Sequence, residues 1–176
     1  LHHDYYPRLK KWPQPTLLNR LGLRQAVDVM AVEALLPNME PYTAENAETF
    51  DELGHGKKIK ISITNRPWDS SHYFKDIVPR YLISNNSGIP IDGFTRYEDP
   101  FSKHIVYLNR KSPDEGLIYA YCYLNDDSES PVCLVQAYYK KTLGLQYYFS
   151  RKYIGDLPEV HRQVLQLIDQ LRVKNK

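Results

Sequence analysis

Cys122 and Cys133 are the only cysteines in this 176-residue chain, and they fall opposite each other across one predicted hairpin. Two strand-like runs, Leu117 to Asn125 and Pro131 to Lys140, flank the polar stretch Asp126-Asp127-Ser128-Glu129-Ser130. Folding the chain back about Asp127/Ser128 sets Cys122 against Cys133, Ala120 against Val135 and Ile118 against Ala137. The register admits two readings, a disulfide or a pair of buried thiols. A disulfide places the protein outside a reducing cytosol, in a periplasm, secretory lumen or medium. Two cysteines in a hairpin without histidine do not supply the four ligands of a structural zinc.

A second stretch with a clear period of two is Lys57 to Thr64, where Ile59, Ile61 and Ile63 alternate with Lys58, Lys60, Ser62 and Thr64, the pattern of a strand with one buried and one wet face. Gly93 to Glu98, His104 to Asn109 and Leu143 to Tyr153 read as further strands, with Tyr81 to Ser84 a candidate and Asn85 to Pro90 a turn. A meander of consecutive antiparallel strands is the economical topology.

Helical periodicity occurs at both ends of the sequence. Leu23 to Leu36 keeps Leu23, Ala26, Val27, Met30 and Ala34 on one face and stops at Pro37, which predicts an N-terminal helix. Leu157, Val160, Val164, Leu167, Ile168 and Leu171 form the apolar stripe of a C-terminal helix, with Asp156 before it and Pro158 and Glu159 in its first turn. Leu1 to Pro15, rich in aromatic residues and interrupted by prolines, reads as an extended arm. Pro37 to Gly56 is acidic and reads as a short helix or a loop, and His72 to Val78 as a short helix. The whole is expected to be one α+β domain spanning residues 1–176: an antiparallel sheet with an N-terminal helix and a C-terminal amphipathic helix packed on it.

Charge and motifs narrow the chemistry. With 23 basic and 21 acidic side chains and no dominant basic stretch, nucleic acid is a poor partner. The longest apolar run, Ala26 to Leu36, carries Asp28 and Glu33 and is too short for a membrane span, while a lipid-anchored leader upstream of Leu1 is compatible with a chain that begins without Met. No phosphate-binding glycine pattern, nucleophile elbow or metal-spaced histidine motif is present, so no catalytic residue, metal ligand or cofactor is expected. His161 lies off the apolar stripe of the last helix and reads as a surface residue.

Surface is what remains. On the hairpin, Tyr119, Tyr121 and Tyr123 share a face with Leu134, Gln136 and Tyr138, either as a second buried layer or as a docking surface. The loop Arg96 to Lys103 and the acidic hairpin tip are the other contact candidates, which singles out Tyr97, Phe101, Asp126, Asp127 and Glu129.

The Tyr-rich strand pair with its two cysteines, the segment Leu145-Gln146-Tyr147-Tyr148-Phe149-Ser150-Arg151-Lys152-Tyr153-Ile154 and the helix Leu157 to Leu171 resemble the ends of small periplasmic immunity proteins. Those proteins, often lipoproteins, are paired by bacteria with toxins delivered by type VI secretion. The resemblance implies a non-enzymatic inhibitor whose partner is a cognate toxin, working in the periplasm or otherwise outside the cytoplasm. Two rival readings are an extracytoplasmic hydrolase using His55, His72 or His104, and an envelope module that binds carbohydrate through exposed tyrosines and Trp68.

Overall fold

The computed structural model describes residues 29–52, 56–64, 88–91, 93–99, 104–109, 118–123, 132–140 and 143–171. In chain order the elements are β1 (Val29–Leu35), α1 (Ala47–Asp51), β2 (Lys58–Thr64), β3 (Ile89–Ile91), β4 (Phe94–Asp99), β5 (His104–Asn109), β6 (Tyr119–Tyr123), β7 (Val132–Tyr139) and β8 (Leu143–Ser150). A 3₁₀ helix, Arg151–Asp156, then leads into α2 (Leu157–Leu171).

The strands form one eight-stranded sheet in the order β1-β2-β8-β7-β6-β5-β4-β3, with every pairing antiparallel. From β3 to β8 it is the expected meander. β2 departs from it by pairing with β8, with Lys60 opposite Tyr148 and Thr64 opposite Gly144, so the pair β1–β2 extends the sheet beyond the last strand.

Alternation assigns the two faces. Ile59, Ile61 and Ile63, then Leu145, Tyr147 and Phe149, then Cys133, Val135 and Ala137, and Ala120 and Cys122 all turn to one side, where α2 covers them with Leu157, Val160, Val164, Leu167, Ile168 and Leu171. The stripe read from the sequence is therefore the buried face of this helix. Six such side chains contribute on the order of 1.5–3 kcal/mol each. At the end of α2, Asp169 accepts hydrogen bonds from the Tyr139 hydroxyl and from Lys140 Nζ (2.9 Å), tying the helix to the β7 end. The opposite face holds a smaller cluster of Tyr97, Val106, Leu108 and Tyr119, with Tyr121 packed against it.

Several sequence expectations are corrected. Residues 29–35 of the expected N-terminal helix are β1. Their Met, Ala, Glu and Leu favour helix, but Met30, Val32 and Ala34 also alternate, and seven paired positions on β2 override local propensity. Ile89 and Pro90, expected in a turn, start an edge strand, which tolerates a residue without an N–H. Strand β8 ends at Ser150 rather than Tyr153, because residues 151–156 coil into the 3₁₀ helix. Lys58, expected on a wet face, is 5% exposed, since its ammonium donates to the Phe50 carbonyl (2.7 Å) under α1. The acidic stretch after Pro37 does contain a short helix, α1. The arm Leu1 to Pro15, the helix expected at His72 to Val78 and the strand at Tyr81 to Ser84 fall outside the described residues.

Candidate partner-binding surface

The β6–β7 hairpin is built in the register derived from its sequence. Tyr119 faces Gln136, Ala120 faces Val135, and Cys122 faces Cys133. The two cysteines are joined by a disulfide with Cα atoms 4.1 Å apart, near the about 4.5 Å of a non-hydrogen-bonded antiparallel pair. Both are fully buried among the apolar residues under α2, so the bridge is a clamp within the sheet.

Strand directions then determine which strand ends share one end of the sheet. Asp99 pairs with His104 and His104 with Tyr123, so β4 and β6 end where β5 begins. Val132 pairs with Ser150, which sets the start of the 3₁₀ helix at that end. Leu35 pairs with Lys58, which sets residues 36–52 and 56–57 there as well. One end of the sheet therefore gathers the ends of β1, β4 and β6 with the exposed Glu40, Glu45, Glu48, Asp51 and Glu52. A hydrogen bond from the Thr43 side chain holds the Glu45 carboxyl below its ordinary value. Lys57, the buried Lys58, Arg151 and Lys152 are described cations at this end.

The glutamates of 40–52 were missed as site candidates. Their composition was visible, but their position at the same end of the sheet as Tyr123 and Val132 depends on β2 lying next to β8, a long-range pairing that no local pattern signals.

The proposed contact residues fare differently. Tyr97 is in strand β4 rather than in a loop and is 2% exposed, packed with Val106, Leu108 and Tyr119. Its side chain supports the sheet behind the loop end instead of reaching a partner there. Phe101, Asp126, Asp127 and Glu129 lie outside the described residues. Of the Tyr-rich face, Tyr119, Leu134 and Gln136 are buried and Tyr121 is half-buried, which makes this part of it a second buried layer.

The histidines named for a hydrolase do not assemble a site among the described residues. His55 and His72 fall outside them, and of His104 only the strand position is described. No group of three or more His, Cys, Asp or Glu side chains among the described residues could hold a metal ion. His161 is not the surface residue expected. It is partly buried, stacks on the Tyr147 ring, and shares a 2.9 Å hydrogen bond between its Nδ1 and the Tyr147 hydroxyl. Burial lowers its pKa to about 4 and raises that of Tyr147. Both groups are thus neutral near neutral pH, and the pair fastens α2 to β8. This is a packing contact, one that a helix-face count misses because the Tyr147 hydroxyl reaches the edge of the stripe.

The immunity protein Smlt3025 of a Stenotrophomonas maltophilia type IV secretion system matches with a TM-score of 0.58 and 13% identity, over 85% of this chain and 84% of that one. The two chains share a fold. The iron-regulated outer membrane lipoprotein FrpD of Neisseria meningitidis matches with a TM-score of 0.59 and 18% identity, over 82% of this chain and 73% of that one. No family model and no curated protein matches the sequence.

Proposed function

We propose that this chain is a non-enzymatic immunity protein that neutralises a secreted bacterial toxin by binding it tightly outside the cytoplasm. The observation that carries this reading is the fold shared with Smlt3025 over most of both chains. The buried Cys122–Cys133 disulfide supports an oxidising compartment, and the likeness to an outer membrane lipoprotein agrees with an envelope location. Among the described residues, no helix is long and apolar enough to cross a membrane.

The binding surface is the loop end of the sheet. On this reading Phe101, Asp126, Asp127 and Glu129, together with the exposed acids of 40–52, dock over a basic cleft of the toxin and exclude its substrate. Rigid presentation lowers the ordering cost of binding, and a few central anchors dominate its energy. The toxin's delivery is by a system for attacking other bacteria: type VI by the sequence resemblance, type IV by analogy with the system of Smlt3025.

The test is co-purification with the product of the adjacent gene. A stable 1:1 complex that removes the toxicity of that product supports the reading, and absence of any complex overturns it. Within a complex, the triple change of Asp126, Asp127 and Glu129 to Asn, Asn and Gln should weaken affinity at least tenfold, mainly through a slower and less salt-sensitive association measured by surface plasmon resonance.

A further inference from the structure

The two ends of the strand order are unlike each other. β3 is three residues long and contains Pro90, which removes a donor and blunts that edge. β1 is seven residues long, with Glu33 its single charge. Its hydrogen-bonding direction follows from two contacts. Leu36 N–H donates to Lys57 O (2.8 Å), toward β2, whereas Leu35 and Glu40 exchange N–H to O bonds of 2.9 Å on the far side. Parity then directs the N–H and C=O groups of Val29, Ala31 and Glu33 away from β2, and no described residue pairs with them. Val29 is 53% exposed and Ala31 is exposed, so this stretch is open to solvent. Beyond Leu35 the edge is closed by Glu40.

We propose that the outer edge of β1 pairs antiparallel with the same edge of a second copy of this chain, across a two-fold axis at Ala31. In that register Ala31 faces its own counterpart, and Val29 and Glu33 each face the other. All six free backbone groups of each copy are satisfied, and Met30 of one copy comes opposite Val32 of the other on the face that α2 covers. The two Glu33 carboxylates stand four residues apart along the strand, about 13 Å, beyond the roughly 8 Å Debye length of physiological salt. Glu33 also keeps its Lys60 partner (3.7 Å). The apolar stretch thus meets itself without opposing like charges. A strand pair this short buries less than the about 1,200 Å² of a standard interface, so the dimer is weak and grows with concentration.

Sedimentation velocity of the 1–176 chain over about a hundredfold range of concentration tests this. A dimer fraction that rises with concentration is expected. Ala31→Pro removes an N–H that points outward and leaves the β1–β2 ladder intact, so it should be monomeric throughout with an unchanged melting temperature. If that variant does not fold, Ala31→Lys sets two ammonium groups face to face at the axis and should also be monomeric. Under mild oxidation Ala31→Cys should give a covalent dimer, since hydrogen-bonded partners lie about 5.5 Å apart, and Glu33→Cys should not. A wild-type chain that stays monomeric, or a dimer that survives Ala31→Lys, overturns the proposal. A monomer whose binding to another protein is lost in Ala31→Pro also overturns it, by assigning the edge to a foreign strand.

Discussion

His161 and Tyr147 show how one contact makes helix docking depend on pH. In the unfolded chain the imidazole titrates near 6.5, whereas in the fold burial lowers its pKa to about 4. Between those values the unfolded state binds the extra proton, so stability is fully present above about 6.5 and is lost as pH falls toward about 4, up to about 2–3 kcal/mol. Thermal melts between pH 7 and pH 4 should show this loss, and His161→Gln should flatten that part of the profile. Gly88 makes a second residue-scale prediction. A Cβ there would press closer than van der Waals contact on Thr95 and Tyr97, which are both buried. Gly88→Ala should therefore cost about 1–3 kcal/mol in a denaturant titration.

At the scale of elements, α2 and the bridged hairpin were legible in the sequence because their determinants are local. The spacing of Leu157, Val160, Val164, Leu167, Ile168 and Leu171 contains the helix face, and the turn midpoint contains the Cys122–Cys133 register. β1 was not legible, since its residues satisfy both helical and extended spacing and only the partner strand decides. Likewise, Tyr97 looked like a loop contact from its charged neighbours, and its burial comes from Val106 and Tyr119 on two other strands. Val164→Ala, at a position with no exposed surface, should cost about 1–2.5 kcal/mol, less than a leucine truncation because two methyl groups are removed. Replacing both cysteines with alanine should cost about 2–3 kcal/mol by loop entropy for a separation of 11 residues. The replacement should leave the β-sheet circular dichroism of the folded state unchanged.

For the whole molecule, the loop end was half legible. The acidic stretch after Pro37 could be read from the sequence, but the strand ends that share its end of the sheet required the strand order. That order also has a kinetic consequence. Strands β3 to β8 pair with their sequence neighbours, so each can form as it appears, but β2 waits for β8, with Ile61 opposite Tyr147. Closing so long a loop costs entropy before any contact repays it, which makes this seam the late step of folding. Until it closes, the β1–β2 pair stays unattached to the rest of the sheet. In a chain threaded unfolded through a membrane, N-terminus first, the first strands to arrive would be among the last to be secured. Trapping by an envelope chaperone should therefore select residues 29–64 over the later hairpins.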